Sequence, residues 1–237
     1  ETGLPVILST GVSTLADMEH ALENLRIVQQ QEITLLHCVT SYPAPPEEYN
    51  LRLLPLLSRL FGVEVGVSDH SEDPELLPGL AMLMGAQLVE KHITLSRKGT
   101  GLDDRIALEP EELRKTVGVC RSVWQLLRAG ASVEQLLKEF EESYGAKRVE
   151  GVLGSGRKEL APSERGSYRR TNRSILAVED IEAGTALKAE HLALLRSEQN
   201  VAPGLHPKHF ETLLGARART RIEAGTGLRW EHLLERY

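Results

Sequence analysis

Four short apolar runs, each followed by a polar turn and a longer segment with apolar positions three and four apart, occupy residues 5–130. The short runs read as strands at 5–10, 33–39, 63–68 and 88–95, and the longer segments as amphipathic helices. Thr14 is placed to cap a helix running to about Gln31, with Leu15, Met18, Ala21, Leu22 and Leu25 on its apolar face. Further helices are expected near 50–61, 75–85 and 110–129. The last opens on Pro110, with Glu111 and Glu112 where negative charge suits the helix dipole. Strict βα alternation implies parallel strands joined by right-handed crossovers, which leaves a doubly wound sheet or a (β/α)8 barrel. Four units are half of such a barrel, and Ser9-Thr10-Gly11-Val12-Ser13 lacks the glycines of a dinucleotide-binding turn. Half a barrel leaves two apolar strand edges uncovered, so the chain is expected to begin in the middle of its fold.

Residues 131–170 change character. An acidic helical stretch with Glu134, Glu139, Glu141 and Glu142 runs into Gly151, Gly154, Gly156, Pro162 and Gly166, the composition of a linker. Beyond it, Ile181-Glu-Ala-Gly-Thr-Ala-Leu-Lys-Ala-Glu-His-Leu192 recurs as Ile222-Glu-Ala-Gly-Thr-Gly-Leu-Arg-Trp-Glu-His-Leu233. A duplicated strand, turn and short helix is expected, with Ala-Gly permitting φ > 0 and His191 and His232 at equivalent structural positions. The domains expected are therefore 1–130, 131–170 and 171–237.

The 237 residues, 41% hydrophobic, suffice for one large core or two modest ones. A net charge of −6 from scattered residues of both signs offers no basic stripe for a phosphate backbone, so nucleic acid is not an expected partner. Cys38 and Cys120 lie in apolar segments without ligand-like spacing and read as buried reduced thiols. No apolar run would span a bilayer, and Glu1-Thr2-Gly3 has no signal-peptide character. A cytoplasmic location is the expectation.

The chemistry gathers at strand ends. Val65-Gly-Val-Ser-Asp-His70 and Val89-Glu-Lys-His92 both pass abruptly from apolar to ionisable residues, as strands do where they open onto a pocket. His70 and His92 on consecutive strands are either packed side chains or two ligands of one divalent ion. Asp69 and Glu90 either orient those rings or are solvated or salt-bridged, and Lys91 points away from Glu90 and His92. Ser9, Thr10, Thr40, Ser41 and Ser68 offer hydroxyls to an anion, although serine is also common in loops. The charged loop Arg97–Asp104 is a lid or a solvated connection, with Asp103 or Asp104 as a candidate general base. Lys91 as a Schiff-base amine is a further alternative.

Leu8-Ser9-Thr10-Gly11, Leu36-His37-Cys38-Val39-Thr40-Ser41-Tyr42-Pro43, Gly66-Val67-Ser68-Asp69-His70, Glu90-Lys91-His92-Ile93-Thr94 and Gly101-Leu102-Asp103 occur in that order. In this the sequence resembles the sialic acid synthase family, N-acetylneuraminate synthase and its relatives. Pro162-Ser163-Glu164 and Arg173-Ser174-Ile175 resemble the join to that family's antifreeze-like (SAF) domain. Gly204-Leu205-His206-Pro207 with Trp230 is similar to its spore-coat polysaccharide biosynthesis branch.

The resemblance implies the C-terminal half of a (β/α)8 TIM barrel followed by a small, mainly-β SAF (β-clip) domain. It implies condensation of phosphoenolpyruvate with an N-acyl hexosamine aldehyde to give a nonulosonic acid. It implies a divalent metal, Mn2+ or alternatively Mg2+ or Co2+, held by His70 and His92. Ser9, Thr40 and Ser68 match phosphoenolpyruvate contacts, with Thr40 in place of the usual Ser or Asn. Tyr42 and Asp103 would face the sugar and the metal-bound water, with Leu102 in place of the usual proline. Arg173 would reach the partner's site in a domain-swapped homodimer. The family's strand-end glutamate and its phosphate-binding and carboxylate-binding lysines belong to barrel strands not in this sequence. The chain is therefore expected to be inactive alone, either a truncated gene product or one completed by another polypeptide carrying the N-terminal half-barrel, or else a non-catalytic sugar-binding or assembly module.

Overall fold

In the computed structural model, which describes residues 3–28, 32–197 and 201–234, the four apolar runs become strands of one curled parallel sheet. These are β1 (Val6–Ser9), β2 (Ile33–Cys38), β3 (Glu64–Asp69) and β4 (Leu88–Lys91), adjacent in chain order. The register sets Cys38 beside Ser68, Ser68 beside Glu90 and Asp69 beside Lys91, so the polar strand ends lie level. Helices α1 (Leu15–Val28), α2 (Leu53–Phe61), α3 (Leu76–Leu83) and α4 (Pro110–Arg128) follow the strands.

Local chemistry explains the helix starts. Thr14 Oγ1 accepts the Asp17 N–H while Asp17 Oδ2 accepts the Thr14 N–H at 2.8 Å, a reciprocal cap. The expected end of that helix near Gln31 lies outside the described residues. At α4, the Glu112 carboxylate accepts the Glu109 N–H at 3.0 Å. The core sits between sheet and helices, where Val65 and Val67 meet Leu53, Leu54, Leu57, Leu76, Leu77 and Leu80.

Two expectations are corrected. Strand β4 stops at Lys91 instead of continuing to 95, because the chain turns to make a single bridge between Ile93 and Leu108. Ile93 and Leu95 are accordingly 64% and 91% exposed. The expected linker is also largely integral to the first unit, Glu1–Arg165. Its acidic stretch forms α5 (Val133–Tyr144) and α6 (Ala146–Leu153), and Leu136, Phe140, Val149, Val152, Leu153 and Ala161 join the core. Asn50 then holds the glycine-rich return, accepting from Gly156 N at 2.7 Å and donating to Arg157 O at 2.8 Å. Charge on one face of α5 disguised the apolar stripe on the other.

The second unit, Gly166–Tyr237, contains the antiparallel pair β5 (Arg173–Ala177) and β6 (Leu192–Arg196). Its two sequence repeats pair with each other symmetrically. Ile181 and Ile222 exchange both backbone hydrogen bonds, while Ala177 N to Thr226 O matches Ala218 N to Thr185 O. Gly184 and Gly225 take φ of 81° and 82° at the equivalent turns, as Ala-Gly predicts. The expected repeat strands reduce to isolated bridges and the short helices to 3-10 turns. His191 and His232 close those turns, each Nδ1 accepting the backbone N–H three residues earlier. The remaining helix, α7 (Phe210–Leu213), is short, and among the described residues no helix is long and apolar enough to cross a membrane.

Candidate functional site at the carboxyl ends of the sheet strands

Alternation along β3 and β4 sorts their last residues onto two faces. On one, Lys91 Nζ lies 3.0 Å from Asp69 Oδ2 with both side chains buried, and donates to Ser71 O at 2.5 Å. Burial raises the Asp69 pKa, and the Lys91 charge opposes that rise. Asp69 therefore does not orient a histidine ring, as was one expectation, and the Lys91 ammonium is engaged as a counter-ion instead of being free as a Schiff-base amine.

The other face holds the histidines. The His70 and His92 rings meet edge to face with centroids 5.3 Å apart. Tyr42 stacks on His70 at 4.3 Å and meets the edge of His92 at 5.8 Å. Asp103 Oδ2 lies 3.4 Å from His92 Nδ1, bringing the charged loop to the strand ends. Ser68 Oγ donates to Glu90 Oε1 at 2.7 Å and sits 3.4 Å from His70 Nε2.

His70 is fixed twice. Its backbone N–H donates to the Tyr49 hydroxyl at 2.6 Å, and its ring Nδ1–H donates to the Val39 carbonyl at 2.8 Å. A carbonyl can only accept, so the neutral ring carries its proton on Nδ1 and keeps an Nε2 lone pair for a ligand. Burial lowers the His70 pKa below that of an ordinary imidazole, which favours the form with that lone pair. Cys38 is adjacent, with Sγ 3.9 Å from His70 Nδ1, but burial pushes its thiol up to about 11. It remains a protonated packing residue.

The remaining predicted residues are placed as follows. Ser9 is exposed at the end of β1, and Thr40 lies just past β2 with its N–H donated to Glu164 at 2.8 Å. The Thr10 hydroxyl is used internally, donating to Leu36 O at 2.9 Å. Arg173 opens β5 in the second unit, beside Arg196 in the ladder, and neither has a carboxylate partner among the described residues. Tyr49 and Glu164 escape a sequence reading. Tyr49 is wholly buried within an otherwise polar stretch, and the Glu164 contacts span 124 and 152 residues.

Two imidazoles on adjacent strand ends are a donor pair of the type that divalent transition ions take. Among the described residues no group of three or more His, Cys, Asp or Glu side chains is arranged to hold one. The two rings alone would leave the remaining positions of such an ion to water or to oxygen atoms of a substrate.

A family model described as the NeuB family matches residues 1–132, and one for the SAF domain matches residues 172–234. The spore coat polysaccharide biosynthesis protein SpsE of Bacillus subtilis is 35% identical across 97% of this chain and 58% of its own length. N,N'-diacetyllegionaminic acid synthase of Campylobacter jejuni is 32% identical across 89% of this chain and 54% of its own. The crystal structure of Bacillus subtilis SpsE matches with a TM-score of 0.84, 35% identity, and coverage of 99% of this chain and 62% of that one. The chain thus spans less than two thirds of the length of these relatives.

Proposed function

The chain belongs to the NeuB family and carries a SAF domain, and we propose that it supplies the C-terminal half of a nonulosonic acid synthase site. The observation that carries this reading is the convergence of His70, His92, Tyr42 and Asp103, with His70 held in the tautomer that leaves Nε2 free. The reaction is condensation of phosphoenolpyruvate with the aldehyde of an N-acyl hexosamine, serving surface or spore-coat polysaccharide synthesis in the cytoplasm. The sheet is read as half of a (β/α)8 barrel whose first four units lie in the remaining length of the relatives.

His70 Nε2 and the ring of His92 would hold a divalent ion, manganese, magnesium or cobalt, which when bound supplies Lewis-acid polarisation of the sugar aldehyde. The hydroxyls of Ser9, Thr40 and Ser68 hold phosphoenolpyruvate. Tyr42 packs against the sugar. Carbon–carbon bond formation leaves a cationic centre that water must attack, and Asp103 Oδ2 accepts that water's proton. Arg173 meets substrate in the site of a second copy, in a homodimer that exchanges SAF domains.

The test is phosphate release from phosphoenolpyruvate and an N-acyl mannosamine in the presence of Mn2+. The chain alone is expected to be silent. Mixing it with a polypeptide carrying the first four βα units of the Campylobacter jejuni relative should restore turnover, and His70→Ala should abolish it. Steady turnover by the chain alone would overturn the half-site reading. A stable mixed assembly that releases no phosphate would overturn the reaction.

A further inference from the structure

Glu164 is 1% exposed, and its carboxylate accepts three backbone N–H groups, two of them from distant parts of the first unit. Oε1 accepts the Val12 N–H at 2.7 Å and the Thr40 N–H at 2.8 Å, while Oε2 accepts Ala161 N–H at 3.3 Å within its own turn. The first two bonds tie the loop after β1 to the loop after β2. Burying a carboxyl group is costly unless hydrogen bonds compensate, and Glu164 has three backbone donors aimed at it.

The two loops are also under local constraint. Val12, β-branched, takes φ of 48°, a left-handed conformation that persists only when its surroundings enforce it. A Cβ on Gly11 would lie 2.0 Å from Thr40 Oγ1 and 3.0 Å from Cys38 Sγ, so the first loop packs its bare backbone against the threonine hydroxyl. The separation of Ser9 from Thr40, and the direction of the Thr40 hydroxyl, are consequently set by how tightly the loops are drawn together.

We propose that Glu164 is the positioning residue for the anion pocket, its buried carboxylate clamping the β1 and β2 loops so that Ser9 and Thr40 present their donors at a fixed spacing. This rests on the reading of Ser9 and Thr40 as phosphoenolpyruvate contacts. Glu164 itself touches no substrate. Its backbone partners are the loops that do, which places a determinant of substrate affinity in a segment that resembles a linker.

The experiment compares the full chain with Glu164→Ala and Glu164→Gln by amide-resolved NMR. Glu164→Gln keeps an oxygen on both amides and serves as the conservative rescue. Hydrogen exchange at Val12 and Thr40 should accelerate by about tenfold to a hundredfold in Glu164→Ala, the loss of bonds to a charged acceptor, and by much less in Glu164→Gln. The phosphoenolpyruvate-induced shifts at Ser9 and Thr40 should require about tenfold more ligand in Glu164→Ala, while Mn2+ broadening at His70 and His92 is unchanged. Unaltered exchange at both amides overturns the clamp. Faster exchange with undiminished phosphoenolpyruvate affinity reduces Glu164 to a structural bond and overturns the positioning role. Silence of the wild-type chain toward phosphoenolpyruvate, both alone and mixed with the polypeptide carrying the first four βα units, overturns the substrate reading instead, and the exchange data then decide the clamp alone.

Discussion

Gly66 pairs with Leu88 across the two strands that lead into the histidines, and Gly66→Ala tests whether strand spacing sets the site. An added Cβ would meet the backbone oxygen of Leu88 at 2.3 Å and Leu36 Cδ2 at 2.7 Å, where ordinary contact begins at 3.4 Å. The leucine methyl can rotate; the carbonyl cannot move without taking β4 with it. Relief therefore needs a shift of about 1 Å in the segment leading to Glu90, Lys91 and His92. Overpacking of this kind costs about 1–3 kcal/mol, and weakening a ladder hydrogen bond adds roughly 1 kcal/mol. The expected loss is about 2–4 kcal/mol in urea unfolding followed by circular dichroism. Mn2+ affinity at His70 and His92 should fall with it, since the ring separation of 5.3 Å depends on that spacing. Gly118→Ala is the control. It sits exposed within α4 with nothing within 4 Å of the added methyl, and should stabilise by about 0.5–1 kcal/mol without touching the metal response. A Gly66→Ala protein within about 0.5 kcal/mol of wild type, or one that is destabilised yet binds Mn2+ unchanged, refutes the argument.

His37 is fully buried, its Nε2–H donated to Tyr49 O at 2.5 Å, and burial with the nearby Lys158 charge lowers its pKa from 6.5 to about 4. Below pH 6.5 the unfolded chain takes up a proton that the folded chain refuses, so stability falls as pH drops to 4, by about 3 kcal/mol. Unfolding free energies measured across that range should lose this slope in His37→Gln, and an unchanged slope would place the acid sensitivity elsewhere. Lys91→Met leaves the Asp69 carboxyl buried without its cation and should cost about 3–5 kcal/mol in urea unfolding, with Asp69→Asn/Lys91→Met recovering much of the loss; equal stability of single and double variants would contradict the pairing. Tyr49→Phe strands the His70 backbone N–H and should cost about 1–3 kcal/mol while accelerating hydrogen exchange at that amide; an unaffected amide would show that it finds another acceptor.

The sequence carried the site's outline because parallel strands announce themselves locally. Valine-rich runs ending in ionisable residues locate the strand tops, and period-two alternation separates Asp69 and Lys91 from Ser68, Glu90 and His92 without any tertiary information. It did not carry what depends on distant partners. The Val39 carbonyl that fixes the His70 tautomer, the Tyr49 hydroxyl beneath it and the Glu164 clamp all join residues far apart in the chain, and nothing in their local composition marks them. The stretch 131–165 misled for a related reason. Its glycines and charges resemble a linker, whereas Gly154 is small because an added Cβ would lie 2.6 Å from the Asn50 side chain, and Phe140 lies against Gly79 in α3. Composition records polarity on the outer face and is blind to what the inner face meets.

The central claim is that His70 and His92 form one divalent-ion site at the tops of adjacent strands. It is tested most directly by titrating the chain with Mn2+ and following the imidazole resonances of all eight histidines. Paramagnetic broadening should strike His70 and His92 together at the lowest additions and vanish at both in either His70→Ala or His92→Ala, while His37, His191 and His232 stay sharp. Broadening of all the histidines in parallel, or of His70 and His92 independently of one another, would contradict it.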